Sequence, residues 1–305
     1  MTDTMKISGL NIVTSNGGTF DLEDLPNRAI ALDGVVQGPV MNGEHDRWSF
    51  DHHAGCARLI TDATCAQVRT ALLLGLDMTD RPIYINDVDG DTVLSLWLLA
   101  NAGRAHTGAV LELVRGVSMI DAHGPAGARL VTENEETLAM AFLNRLRNIV
   151  PRDVQAQYNS WHGMISKGLG LIDEIIEEYL NGALDTGSGD PISIEMLFSG
   201  ERGGVKACIA RSDGFGAFAP LYDKGFRVVV LVSDAADGSF RYTVGKTSDL
   251  VDYHLGPGDD SDSLLGRLNA REPGWGGGSS IGGSPRLEGG ISSRLTPDEV
   301  WEMMG

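Results

Sequence analysis

The sequence predicts an α/β protein of two domains: a parallel-sheet domain over 1–185 and a smaller α+β domain over 186–305. In the first part, short apolar runs that end in acidic residues alternate with helical patterns, as in parallel α/β folds. After residue 191 the strand pattern becomes dense, with turn signals between the strands. The segment 186–191, rich in glycine and serine, is the best linker candidate between the two parts.

Composition and charge restrict the classes of partner. The chain has 305 residues and 42% apolar content, enough to bury a core. Its formal charge of −18 weighs against duplex DNA as a partner, because Lys and Arg supply most of the affinity for phosphate backbones. A small phosphorylated substrate or a short single-stranded oligonucleotide remains open, since acids that bind cations would account for part of the excess charge.

The length of the apolar runs, the first residues and the cysteines indicate where in the cell the protein is expected. No apolar run approaches the ~20 residues of a spanning helix, and Met1 to Thr4 lacks the basic start of a signal peptide. We therefore expect a cytoplasmic protein without a membrane partner. The three cysteines Cys56, Cys65 and Cys208 suit reduced thiols better than disulfides. Cys56 follows an Asp-His-His triplet, but a buried, inert thiol is its expected role.

Four apolar runs of the first 125 residues lead directly into acidic or imidazole side chains. These are Ala29–Leu32 before Asp33, Trp48–Phe50 before Asp51-His52-His53, Pro82–Ile85 before Asp87, Asp89 and Asp91, and Val114–Ile120 before Asp121 and His123. We interpret the runs as strands, with an earlier strand at Ile7–Thr14. Because parallel strands place their carboxyl ends at one edge of a sheet, we expect these side chains to meet there.

Helical periodicity explains the segments between and after these strands. Apolar residues recur at helix-like spacing from Ala57 to Leu76, where Gly75 is a stop signal, and again from Thr92 to Ala102. Residues 132–182 are predicted to be mainly helical, with Glu133 and Glu135 in a first turn. The apolar stripe of this region is expected to pack in a core.

The second part is predicted to contain four strands, two helices and a glycine-rich loop. The strands are Ile192–Phe198, Val205–Arg211, Phe226–Ser233 and Phe240–Lys246, with a hairpin turn at Asp237-Gly238 between the last two. A helix is expected at 262–269, and another after Thr296, whose Glu299 completes a capping box. The loop spans 275–286, and Trp275 and Ile281 favour an anchored loop over a flexible surface segment.

The converging acids predict a metal centre. Carboxylates that meet at low dielectric repel one another unless a cation is held between them. Mixed carboxylate and imidazole donors fit Mn²⁺, or else Mg²⁺, Fe²⁺ or Co²⁺, better than a thiolate zinc site. Two such ions can activate a water for attack on phosphorus. Taken singly, Asp33 and Asp121 could equally be helix caps or solvated turn acids, and His123 a hydrogen-bonded loop histidine.

Three motifs resemble those of a known group. Phe50-Asp51-His52-His53, Val88-Asp89-Gly90-Asp91 and Gly276-Gly277-Gly278 resemble the DHH phosphoesterase superfamily, most of all the branch related to the MYG-type exonucleases. The resemblance implies a DHH-type catalytic domain followed by a DHHA1-like domain that binds substrate through its glycine loop. The motifs cover well under half of the chain.

The resemblance also implies roles for individual residues. The metal ligands would be Asp33, His52, Asp89, Asp91 and Asp121, with Asp87 as a substitute ligand. Asp51 would orient an imidazole, and His53 would contact the scissile phosphate or act as general acid. The residues that hold the rest of the substrate would be Gly276, Gly277, Gly278, Ser279 and Arg286.

The chain departs from the family pattern at three points. Its Asp-x-Asp motif follows the Asp-His-His instead of preceding it, Ile85 replaces a histidine, and Ser279 replaces the histidine after the glycines. The favoured hypothesis is a manganese-dependent nuclease-type phosphoesterase that hydrolyses a nucleotide or a short oligonucleotide, with a homodimer as a candidate assembly. The alternatives are a non-catalytic nucleotide- or metal-binding protein and, ranked lower for want of clustered Lys and Arg near the glycine loop, an inorganic pyrophosphatase.

Overall fold

The chain forms two compact units in a computed structural model that describes residues 2–53, 55–151, 154–184, 192–212, 214–286 and 292–305. The first unit comprises Met1–Ala122, Val131–Pro151 and Gln155–Gly187, and the second comprises His123–Leu130, Arg152–Val154 and Ser188–Gly305. Each unit contains a six-stranded mixed sheet, so the chain is a mixed α/β protein. The predicted linker at 186–191 lies outside the described residues.

The sheet of the first unit has four parallel strands at its centre. In chain order its strands are β1 (Asp3–Ile7), β2 (Leu10–Thr14), β3 (Ile30–Leu32), β4 (Met41–Asn42), β5 (Arg47–Phe50) and β6 (Pro82–Ile85). In space the order is β1-β2-β6-β3-β5-β4, with β2, β6, β3 and β5 parallel to one another. The edge strands β1 and β4 pair antiparallel, so the sheet is mixed and not purely parallel.

A tight turn explains the first antiparallel edge. The sequence predicts one strand over Ile7–Thr14, but β1 and β2 form a hairpin instead. Ser8 and Gly9, at its turn, have φ angles of 49° and 81°. Two consecutive positive φ angles are typical of the two-residue turns that match the twist of paired strands. The prediction of a single strand was wrong because Ser8-Gly9 forms a turn between two strands.

Six helices accompany this sheet in the described part of the first unit. They are α1 (Thr64–Leu73), α2 (Gly90–Ala100), α3 (Gly108–His123), α4 (Glu133–Leu146), α5 (Val154–Tyr158) and α6 (Trp161–Leu180). The first of them begins well after the predicted Ala57. Thr132 and Glu135 form a capping box at the start of α4. A methyl group on Gly116 would lie 2.1 Å from the carbonyl oxygen of Glu135, so α3 and α4 pack in close contact.

The run Val114–Ile120, predicted as a strand, lies within α3. Val110, Val114 and Val117 are buried at spacings of four and three residues, which is the period of a helix face. Asp121 comes four residues after Val117 and continues that face. The prediction of a strand was wrong because a run as short as Val114–Ile120 does not distinguish a strand from a helix, and the helical period is visible only together with the residues before it.

The second unit is built on a sheet with order β11-β12-β10-β9-β8-β7. Its strands are β7 (Glu195–Arg202), β8 (Val205–Arg211), β9 (Val228–Asp234), β10 (Phe240–Lys246), β11 (Gly276–Gly277) and β12 (Ile281–Gly283). Among the strands described in this unit, only β8 and β9 pair in parallel, across α7 (Phe218–Asp223). The remaining helices of the described residues are α8 (Leu264–Arg271) and α9 (Pro297–Met303), the latter with the predicted Thr296–Glu299 capping box.

No helix in the described ranges is both long enough and apolar enough to cross a bilayer.

Candidate metal centre

Neighbouring strands bring the first acids together. In the sheet, β3 and β5 run parallel with Leu32 opposite Phe50, so Asp33 and Asp51 follow at the same edge. The backbone N–H of Asp33 donates to the carbonyl oxygen of Phe50 at 2.9 Å. Asp33 itself has a φ of 54°, a left-handed conformation that costs free energy in a residue other than glycine. Asp46 and Asp80 share this conformation, which aspartate tolerates better than most residues.

His52 lies at the middle of the cluster. Its Nε2 atom is 2.7 Å from Oδ2 of Asp121, 3.5 Å from Oδ1 of Asp33 and 3.7 Å from Oδ2 of Asp91. The imidazole is only 1% exposed to solvent. Three separate elements, β3, α2 and α3, thus place a carboxylate against the same ring nitrogen.

The ring nitrogens of His52 make no well-aligned hydrogen bond to a described residue, although Nε2 lies close to carboxylate oxygens. Although Asp121 is close to Nε2, neither Nε2 nor Nδ1 meets hydrogen-bond geometry with any described residue. A buried polar atom without a partner is costly, and most such atoms in native proteins have an explanation. An imidazole nitrogen that faces several carboxylate oxygens without a hydrogen bond to any of them has the arrangement of a metal ligand.

Two groups of side chains fit a metal ion by the spacing of their donor atoms. Asp33, His52 and His53 form one group, and His52, Asp91 and Asp121 form the other, with donor atoms within 4.8 Å of one another in each. The residues present therefore fit a divalent cation with oxygen and nitrogen ligands. Because both groups share His52, any two ions held here would be close neighbours.

The charges of the cluster shift its pKa values strongly. Burial opposes the charged form of His52, but the carboxylates of Asp121 and Asp33 outweigh it and raise its pKa from 6.5 to about 11. Burial, followed by repulsion from Asp121 and Asp33, raises the pKa of Asp91 from 3.8 to about 7. Without a cation, protons therefore offset part of the negative charge of the cluster.

Asp89 and Asp87 differ in their relation to the cluster. Asp89 is half-buried, and Oδ1 of its carboxylate caps α2 by accepting the Thr92 N–H at 2.8 Å. Burial, and then the charges of Asp33 and Asp121, raise its pKa well above 3.8, but Asp89 belongs to neither group of potential ligands found among the described residues. Asp87 is exposed and belongs to neither group of potential ligands found among the described residues.

Asp51 holds His53 in place. Its Oδ1 accepts the backbone N–H of His53 at 3.0 Å and lies 2.8 Å from Nδ1 of the same residue. Its Oδ2 accepts the N–H of Gly38 at 2.7 Å. The hydrogen bond to Asp51 is the largest contribution that raises the pKa of His53, whose side chain remains 42% exposed. The ring is thus fixed on one side and open to solvent on the other.

Thr64 is a site residue that the sequence did not reveal. It is fully buried, and its Oγ1 donates to Oδ1 of Asp33 at 3.0 Å. Thr92 also lies near Asp33, with an oxygen-to-oxygen distance of 3.4 Å. A threonine directly before an apolar helical run was the available signal, since such positions commonly serve at helix starts.

The glycine-rich segment belongs to the second unit and is paired into its sheet. In the hairpin of β11 and β12, Gly277 lies opposite Gly282. Trp275, which precedes it, is 2% exposed and donates through Nε1 to Glu272 at 3.0 Å, so the segment is anchored. Ser279 is half-buried and Arg286 is exposed. The predicted metal ligands and the predicted substrate loop therefore lie in different units.

No model of a known protein family matches this chain, and no curated protein matches it either. The geometry of the cluster around His52 and the motifs of the sequence are therefore the observations that bear on function.

Proposed function

We propose that the chain is a metal-dependent phosphoesterase of the DHH type, with a DHHA1-like second domain, that hydrolyses a phosphodiester or phosphomonoester of a nucleotide or short oligonucleotide. One observation supports this most strongly: the buried His52 faces three carboxylates within 3.7 Å and has no hydrogen-bond partner among the described residues. A cluster of this kind is expensive to bury unless a cation compensates it.

Mn²⁺ or Mg²⁺ is the expected cofactor, with two ions in the complete centre. By the spacing of their donor atoms, Asp33, His52 and Asp121 are well placed to hold them, and Asp89 is a further ligand that the sequence resemblance implies. A divalent ion supplies Lewis-acid activation of water and neutralises the charge of a phosphoryl group. Because a histidine ligand must be neutral, His52 has to release its proton when the cation binds.

His53 is the proposed general acid. Asp51 fixes its Nδ1 edge, which leaves the opposite edge of the half-exposed ring able to meet a phosphoryl group. The hydrogen bond to Asp51 raises the pKa of this imidazole above its ordinary value. A protonated imidazole at this position can donate to the leaving oxygen of the ester.

The substrate class follows from charge and from the resemblance. A chain with a formal charge of −18 is poorly suited to long nucleic acid, while a nucleotide or a short single strand presents few phosphates. Backbone N–H groups of Gly276, Gly277, Gly278 and Ser279 are proposed to contact the substrate, with Arg286 as a further cationic contact.

A metal-binding protein without catalysis is the second candidate. It is favoured by Ile85, which is fully buried at the position where the family has a histidine. Such a chain would bind Mn²⁺ but would not turn over an ester. An inorganic pyrophosphatase is a third candidate, since it uses similar ligands.

The test is a substrate panel with Mn²⁺: dinucleotides, cyclic dinucleotides, 3′,5′-bisphosphorylated nucleosides, single strands and pyrophosphate. We expect turnover of a nucleotide ester that Asp51→Ala combined with His52→Ala abolishes while the fold is retained. Asp252→Ala with His106→Ala removes the same side-chain types from exposed positions and serves as the matched control. Unchanged turnover in the first double variant would remove the assignment, and turnover of pyrophosphate alone would favour the third candidate.

A further inference from the structure

We propose that Asp91 is a positioning residue, which fixes the start of α1 against the metal centre, and not a ligand of the ion. This inference rests on the proposed metal-dependent function. It differs from what the sequence resemblance implies, which is direct coordination by Asp91. By spacing, Asp91 also belongs to one of the two groups of potential ligands, but its two oxygens already accept hydrogen bonds, and these bonds favour the positioning role.

Both oxygens of Asp91 are engaged by the backbone of α1. Oδ2 accepts the N–H of Thr64 at 2.6 Å, and Oδ1 accepts the N–H of Cys65 at 2.7 Å. All three residues are buried, with at most 1% of their surface exposed. These are short hydrogen bonds between buried groups, so breaking either of them leaves a buried N–H unpaired.

The start of α1 needs this external acceptor. Its N-cap residue is Ala63, which has no side-chain oxygen to accept the first N–H groups. The carboxylate of Asp91, from α2, therefore performs for α1 the capping that its own sequence does not provide. Its negative charge also lies at the positive end of the α1 dipole.

Thr64 connects this cap to the metal centre. Its N–H is held by Asp91, while its Oγ1 donates to Oδ1 of Asp33 at 3.0 Å. Asp91 thus sets the position of Thr64, and Thr64 in turn orients Asp33. The Asp91 carboxylate is also the farthest of the three from Nε2 of His52, at 3.7 Å against 2.7 Å for Asp121.

Asp89 offers a matched comparison for the test. It also accepts a backbone N–H at a helix start, but only the single bond from Thr92. Asparagine is as good an N-cap as aspartate, so Asp89→Asn keeps that bond and loses a charge. Asp91→Asn cannot keep both bonds, because its NH₂ group would face a backbone N–H.

The experiment measures unfolding midpoints in EDTA and Mn²⁺ binding by calorimetry for wild type, Asp91→Asn, Asp89→Asn and Thr64→Val. We expect Asp91→Asn to lower the midpoint in EDTA by about 5 °C. It should bind as many Mn²⁺ ions as wild type, about tenfold more weakly. Asp89→Asn should show the reverse: an unchanged or higher midpoint and fewer bound ions.

Thr64→Val keeps the assay interpretable if Asp91→Asn folds poorly. It should weaken Mn²⁺ binding to a similar degree, and the double variant should add little, because both changes act through Thr64. Loss of a bound ion in Asp91→Asn, or a wild-type midpoint in EDTA, overturns the positioning role alone. A wild-type chain that binds no Mn²⁺ overturns the proposed function first and the positioning role with it.

Discussion

The proposed metal centre of the first unit and the glycine hairpin of the second differ in whether the contacts within each of them account for the residues it contains. At the centre, buried charges remain in conflict: His52 has no hydrogen-bond partner among the described residues, and Asp91 has a pKa of about 7. In the hairpin, a methyl group on Gly277 would lie 2.3 Å from Cα of Gly282, so strand pairing alone requires glycine there. An unresolved electrostatic conflict is therefore stronger evidence of a ligand than a glycine motif.

The largest expected effect is that of Asp33→Asn, which removes a charge from the proposed metal centre and keeps the local backbone conformation. Asp33→Asn keeps a residue that tolerates the left-handed φ of 54° but removes a charged oxygen. We expect Mn²⁺-dependent turnover to fall by roughly 10³-fold or more. Asp80→Asn is the matched control, because Asp80 is exposed and also has a positive φ, of 50°. Equal turnover of the two variants in steady-state kinetics would show that the cluster has no role in catalysis.

The second effect is a pH dependence that reverses with metal. The folded chain retains a proton on Asp91 between pH 3.8 and about 7 that the unfolded chain has released. The same holds for His52 between pH 6.5 and about 11. Since the folded state binds more protons in both windows, its free energy of unfolding in EDTA should decrease from pH 5 to pH 9. The pKa of Asp33 is lowered in the folded chain, so this residue makes the free energy of unfolding increase with pH, but only below pH 3.8.

Mn²⁺ should reverse this trend, because its ligands must be deprotonated and its affinity rises with pH. At a hundred times its dissociation constant it should add about 2.7 kcal/mol of stability. Thermal unfolding at pH 5, 7 and 9, with EDTA or Mn²⁺, measures the effect. A stability in EDTA that increases over this range, or no gain from Mn²⁺ at pH 9, contradicts the assigned cluster.

The smallest effect concerns the hairpin. Gly277 has a φ of 146° and no room for a side chain, so Gly277→Ala should distort the turn and lower the unfolding midpoint of the second unit by a few degrees. If the hairpin binds substrate, KM should rise several-fold while the number of bound Mn²⁺ ions stays the same. A methyl group on Gly276 meets nothing within 4 Å, so Gly276→Ala is the stability control. An unchanged KM in Gly277→Ala would leave the hairpin with a purely structural role.

The sequence predicts the parts of the site that depend on strand ends. Asp33, Asp51 and His52 follow strands that pair in parallel, and the edge they share is a general property of such sheets. Asp121 reaches the same place from within α3, so its proximity was predicted for the wrong reason. Its helical position was nevertheless readable from the buried face of Val110, Val114 and Val117.

The remaining contacts depend on tertiary packing that no local pattern encodes. The bonds from Thr64 and Cys65 to Asp91 join residues 27 and 26 positions apart, and they exist only because α1 packs on α2. The sequence of α1 indicates a helix but does not show that Ala63 leaves its start without a side-chain cap that α2 must supply. The sequence resemblance implies a ligand at Asp91, and only the structure shows that its carboxylate caps α1.

The most direct test of the metal centre is anomalous diffraction from crystals of the chain soaked in Mn²⁺. We predict an anomalous peak within coordinating distance of Nε2 of His52 and of the carboxylates of Asp33 and Asp121. The absence of a peak there, while Mn²⁺ occupies exposed acids elsewhere on the surface, would contradict it.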